Sequence, residues 1–118
     1  MRHPPTVDSF GPGGFRVSGL WRPGSLLVVA DEPRSWSPTR LVDLTPDDFA
    51  PVIAAGPAAS EFVLLGTGAV QALPPPEVRA ALRAAGLGLE FMSTANAAQA
   101  WGVLTQQGRR LALALLTI

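Results

Sequence analysis

The sequence predicts an α/β domain built on a mixed sheet, and three observations carry that expectation. Short apolar runs recur at SLLVV, EFVLL, LGLEFM and LALALLTI, each bounded by turn residues. Stretches of helical periodicity lie between the later runs, so strand and helix alternate three times, each helix covering a sheet face that would otherwise meet water. The early segment FRVSGLWRPGSLLVV instead shows hairpin punctuation at Ser18-Gly19 and Pro23-Gly24, which adds a small β-hairpin on the N-terminal side and makes the sheet mixed rather than purely parallel.

Residues 1–14, rich in Gly and Pro with few apolar anchors, read as a flexible segment preceding a single domain over 15–118. Phe15 to Val29 supplies short antiparallel strands leading into a buried one. DEPRSWSPTR, from Asp31 to Arg40, reads as a long ordered loop, and LVDL as a short strand. Thr45-Pro46 opens a helix with an N-cap, a first-turn proline and two acids; Pro51 splits or kinks it, and it ends near Gly56. EFVLL is a buried strand. From Pro75 to Ala85, Val78, Ala81, Leu82 and Ala85 fall on one helical face, and Gly86 stops the helix. LGLEFM reads as a third core strand, Ser93 or Thr94 caps a third helix reaching Gln107, and LALALLTI closes the chain as a strand.

Composition narrows the function. Nine Arg balance nine Asp and Glu, with no Lys, so no net field favours nucleic acid or a membrane surface. The lack of Cys excludes a thiol nucleophile, a CxxC site and a disulfide framework. No apolar run approaches the roughly 20 residues of a spanning helix, and MRHPPTVDSFGPGG has no secretory core. A cytoplasmic protein without membrane insertion is the expectation, and one His with no Cys predicts neither a metal site nor a cofactor.

Few residues could carry chemistry. Gly66-Thr67-Gly68 follows a strand, but Gln71 stands where a dinucleotide fingerprint needs glycine, and the helix starts about six residues late. The GTG is therefore read first as a backbone turn. If the strands before GTG and before Ser93-Thr94 are parallel, the two loops share one sheet edge, where Gly66, Thr67, Gly68, Ser93 and Thr94 are candidates to hold a carboxylate or phosphate. Simple capping is the competing reading for Ser93 and Thr94. Glu90 is the one weak catalytic candidate, because burial in LGLEFM would raise its pKa. Trp36, set in a polar loop, is a candidate partner anchor. Trp101 shares a helical face with Ala97 and Leu104 and belongs to the core, and Gly102 beside it suggests a close backbone approach.

The motifs SLLVV, Trp36, LTPDDF, LLGTG, LPPPEVRAALRAAGLGLEFMSTANAA and GRRLALALL together resemble a family of small bacterial and archaeal domains of unknown function. Its relatives include the mitochondrial complex I assembly factor three and the adipogenesis-associated domain protein. The resemblance implies a compact three-layer α/β fold, no established catalysis in bacterial members, and assembly through a protein partner in the mitochondrial branch. One departure is local: the family pattern carries Tyr and Asn where this chain has Trp101 and Gly102, and an acid where it has Gln107. A non-enzymatic protein-binding or assembly module is the expected function, with an anion- or small-molecule-binding protein or enzyme at the GTG edge as the alternative.

Overall fold

A computed structural model describes residues 2–118. It contains two sheets. Strands β1 (Val7–Gly11), β2 (Gly14–Val17) and β3 (Leu20–Pro23) form an antiparallel three-stranded sheet. Strands β4 (Ser25–Val29), β5 (Glu32–Trp36), β6 (Phe62–Gly66), β7 (Gly88–Met92) and β8 (Ala112–Leu115) form a five-stranded sheet in the order β5-β4-β8-β6-β7. This sheet is mixed: β6 runs parallel to β7 and β8, while β4 is antiparallel to β5 and β8.

Alternation along the strands builds three layers. Leu27, Val29, Val63, Leu65, Ala112 and Ala114 point to one face, where helices α1 (Ala50–Ala59) and α2 (Pro76–Ala84) cover them with Val52, Val78 and Leu82. Leu26, Val28, Leu64, Leu113 and Leu115 point to the other, under helix α3 (Thr94–Gln106), with Ala97 and Trp101, and under Phe15 and Val17 of the small sheet. Fully burying one such Leu or Val is worth roughly 1.5–3 kcal/mol, so the two apolar faces of β4, β6 and β8 account for why these runs lie in the middle of the sheet.

Several sequence expectations are corrected. Of the segment expected to be flexible, the described residues 2–14 hold strand β1 and are anchored: Arg2 pairs with Asp31 at 2.9 Å and donates to the carbonyls of Gly108 and Arg109, and the Trp101 indole N–H donates to Pro5 O at 2.8 Å. Such polar anchors leave no trace in hydropathy. The expected N-terminal hairpin is present as β2 and β3, and β1 extends it to a three-stranded meander. DEPRSWSPTR is not a loop throughout, since Glu32–Trp36 pairs with β4 through a two-residue turn at Ala30 (φ 50°) and Asp31 (φ 64°), a turn geometry that Ala-Asp does not advertise. LVDL forms a 3-10 turn at Leu41–Asp43 rather than a strand.

The Thr45-Pro46 start does split as expected. A 3-10 turn over Pro46–Phe49 precedes α1, so Pro51 sits in a first turn where its missing N–H costs nothing. The helical segment then continues to Ala59 across a break at Gly56 (φ 71°), past the expected end. Strand β7 is an edge strand, not a core one. A Cβ at Gly102 would meet nothing within 4 Å, so no close backbone approach explains that glycine.

Candidate functional site

Parallel pairing of β6 and β7 brings the two predicted loops together at the carboxyl ends of the strands, with Gly66 opposite Met92. Gly66, Thr67, Gly68 and Thr94 meet there; Ser93 stands beside them. Gly66 is an approach point: a Cβ there would lie 2.7 Å from Leu115 Cδ2 and 2.9 Å from both Cα and Oγ1 of Thr94. Gly68 serves conformation instead, at φ 106° with open space around its missing Cβ.

The hydroxyls turn inward. Thr94, fully buried, donates from Oγ1 to Leu116 O at 2.8 Å and accepts from the Gly68 N–H at 3.0 Å, while its own N–H donates to Gly68 O at 2.8 Å. One side chain thus ties the end of β8, the turn after β6 and the start of α3. Thr67 Oγ1 donates to Val70 O at 2.6 Å, lies 3.1 Å from Met92 O and accepts from the Ala72 N–H at 3.3 Å; the Thr67 N–H donates to Met92 O at 2.8 Å. Gln71 Nε2 reaches Phe91 O at 3.2 Å. Ser93, not Thr94, caps α3, its Oγ accepting from the Asn96 N–H at 3.2 Å. The amides of Thr94, Asn96 and Ala97 are all engaged within the chain, which leaves the start of α3 little to offer an oxyanion.

With its polar groups directed inward, the loop from Thr67 to Pro75 presents apolar side chains outward: Val70 is 70% and Leu73 61% exposed. Sequence reasoning missed this. The signal was the run AVQAL between GTG and the prolines, too short for a helix and too apolar for an idle linker.

The other candidates lie apart from this edge or lose their argument. Trp36 is buried, packs edge-on against Phe49 with ring centroids 5.4 Å apart, and donates its indole N–H to Asp48 O at 2.9 Å; it is a core residue rather than an exposed anchor, because β5 turns it beneath the start of α1. Trp21, on β3, is the half-exposed tryptophan. Glu90 is exposed on edge strand β7, so the burial that would have made it a neutral acid is missing. Among the described residues no group of three or more His, Cys, Asp or Glu could hold a metal ion, and no helix is long and apolar enough to cross a membrane.

Away from the edge, Glu61 accepts from Arg109 Nε at 3.2 Å and from the Arg110 N–H at 3.1 Å. The Arg109 hydrogen bond, then that of Arg110, holds its carboxyl below the ordinary value.

Comparison with known proteins gives the same architecture a lineage. The family model described as protein of unknown function (DUF498/DUF598) matches residues 7–116. The chain belongs to this family. The chain is similar to an uncharacterised protein of Rhodobacter capsulatus, 36% identical over 110 residues that make up 93% of this chain and 82% of the other. The NADH dehydrogenase [ubiquinone] 1 alpha subcomplex assembly factor 3 of Bos taurus is 28% identical over 93% of this chain, which spans only 59% of that longer protein. The crystal structure of an outer membrane protein from Bartonella henselae superposes with a TM-score of 0.88 at 29% identity, covering 97% of this chain and 95% of that one.

Proposed function

We propose that this protein is a non-enzymatic protein-binding or assembly module whose docking surface includes the loop from Thr67 to Pro75. The observation that carries the reading is the division of labour in that loop: Thr67 and Thr94 hold it by inward hydrogen bonds, while Val70 and Leu73 stand 70% and 61% exposed. A surface already held in shape loses little conformational entropy when a partner covers it. The resemblance to a bovine protein named as an assembly factor supports the same reading. So does the balance of nine Arg against nine acids, which favours a protein over a nucleic acid as partner, and we place the protein in the cytoplasm. An oxyanion at the GTG edge would have to compete with the internal partners of Thr67 and Thr94, and Glu90 has no buried setting from which to act as an acid.

The test compares capture by the tagged full chain, by a Val70→Ser/Leu73→Ser double variant, and by Val103→Ser, which alters an exposed valine on α3. Melting temperatures are matched first. The proposal expects one protein to be retained in stoichiometric amount by the wild type and Val103→Ser and lost from the double variant. Equal retention by all three, or saturable turnover of a metabolite that Glu90→Gln abolishes, contradicts it.

A further inference from the structure

We infer that the free edge of β7, with Arg79 and Arg83 beside it, is the docking site for an extended, carboxylate-bearing segment of the protein partner. This rests on the protein-binding reading and specifies the partner's chemistry. Strand β7 ends the five-stranded sheet, and among the described residues it pairs with β6 alone. Met92 O accepts from the Thr67 N–H, so Met92, Glu90 and Gly88 direct their backbone groups towards β6, and Leu89 and Phe91 direct theirs away from it. Gln71 satisfies Phe91 O at 3.2 Å, leaving the Leu89 N–H and C=O and the Phe91 N–H on the open side. An edge of this kind is a template for an added strand. Gln71 lies between Val70 and Leu73, so the edge is continuous with the proposed loop surface.

Charge specifies the occupant. Arg79 and Arg83, one turn apart on α2, line a cavity of about 270 Å³ with Leu87, Gly88, Leu89 and Phe91. The ion pairs among the described residues are Arg2–Asp31 and Arg109–Glu61, which involve neither arginine. The Arg79 side chain is half-buried and its Nε has no hydrogen-bond partner among the described residues, so no acid of this chain holds the guanidinium, and its charge is left for a carboxylate in the cavity. The side chains of Leu89 and Phe91 pack towards the α1/α2 face, and Glu90, between them, lies on the opposite face. A strand added to β7 sends alternate side chains to each face. Carboxylates therefore fit on the α2 side, opposite the arginines, and are disfavoured beside Glu90. The partner segment is an extended one with acids at every second position.

The experiment uses the full chain and a blocked seven-residue peptide alternating Glu and Val, with three comparisons: the Gln-for-Glu peptide, the Glu/Val peptide N-methylated at alternate amides, and inorganic phosphate. Binding is read by fluorescence polarisation and by amide protection in NMR. The Glu/Val peptide is expected to bind, to protect the Leu89 and Phe91 amides, and to weaken about tenfold in Arg79→Gln/Arg83→Gln; the Gln and N-methylated peptides are expected to bind weakly. Arg79→Lys/Arg83→Lys keeps the charge and guards against a folding defect, with partial retention expected. No peptide binding, equal binding of the N-methylated peptide, or full competition by millimolar phosphate without protection of β7 overturns the inference, the last leaving a small-anion site only. If the peptide fails while the Val70→Ser/Leu73→Ser variant still loses its captured protein, the inference falls and the loop reading stands. A peptide that docks on β7 while the capture result fails overturns the loop reading alone.

Discussion

Thr94→Val changes almost nothing in shape and removes one hydroxyl from the point where β8, the turn after β6 and α3 meet. The side chain is fully buried, donates to Leu116 O at 2.8 Å and accepts from the Gly68 N–H at 3.0 Å. Valine leaves both backbone groups without that partner. A buried donor or acceptor left unmade costs about 1–3 kcal/mol, and Gly68 is half-buried, so some of its loss is recovered by water. The two together cost about 2–4 kcal/mol. At about 2.1 cal/mol/K per residue over 118 residues, the unfolding entropy is about 0.25 kcal/mol/K, and Tm falls by about 8–16 °C. Thr94→Ser keeps the hydroxyl and loses one methyl, a loss of about 1 kcal/mol and about 4 °C. Thermal melts followed by circular dichroism, at one pH and protein concentration, rank wild type above serine above valine. A valine variant as stable as the serine one would refute the clamp, since it would mean that shape rather than hydrogen bonding holds the junction.

The glycines separate by mechanism. Gly66→Ala meets Leu115 and the Thr94 backbone below 3.0 Å and should lose about 1–3 kcal/mol by overpacking, while Gly68→Ala meets open space and loses at least about 1–2 kcal/mol, because φ 106° lies outside the regions open to a residue with a Cβ. Gly102→Ala, in open space inside α3, should instead gain about 0.5–1 kcal/mol; denaturant midpoints on the three variants check the signs. Because the Glu61 carboxyl is lowered in the fold by Arg109 and then Arg110, its contribution is fully present above the unfolded value near 4.5 and disappears as pH falls through the folded one. Melts of Glu61→Gln should therefore show a shallower fall in Tm below about pH 4.5 than the wild type, and parallel curves would contradict the assignment.

What was legible in the sequence was whatever periodicity and termination express. The α2 helix emerges almost to the residue, because Val78 and Leu82 share a face between a proline start and Gly86. The strands β4, β6 and β8 emerge because they are apolar on both faces, and the shared edge of GTG and Thr94 follows once β6 and β7 are parallel. Strands β1 and β5 did not. VDSFG and EPRSW carry few apolar residues, and their place is set by backbone pairing and by polar anchors such as Arg2 with Asp31, nearly 30 residues apart. Trp36 was misjudged for the same reason, since its loop-like neighbours conceal that the strand turns it onto Phe49. At the candidate site the sequence marks Thr67 and Thr94 as polar, but the direction of a hydroxyl depends on which carbonyl the fold places 2.6 or 2.8 Å away.

Amide hydrogen exchange on the free chain tests most directly whether the loop from Thr67 to Pro75 is a finished surface before any partner arrives. The Thr67 and Gly68 amides, bonded to Met92 O and Thr94 Oγ1, should exchange far more slowly than the exposed Ala69 and Val70, and Thr94→Val should release Gly68 while leaving the β8 amides protected. If Thr67 and Gly68 exchange in the wild type as fast as Val70, the loop is not held by its threonines, and a preformed apolar surface is the wrong description of it.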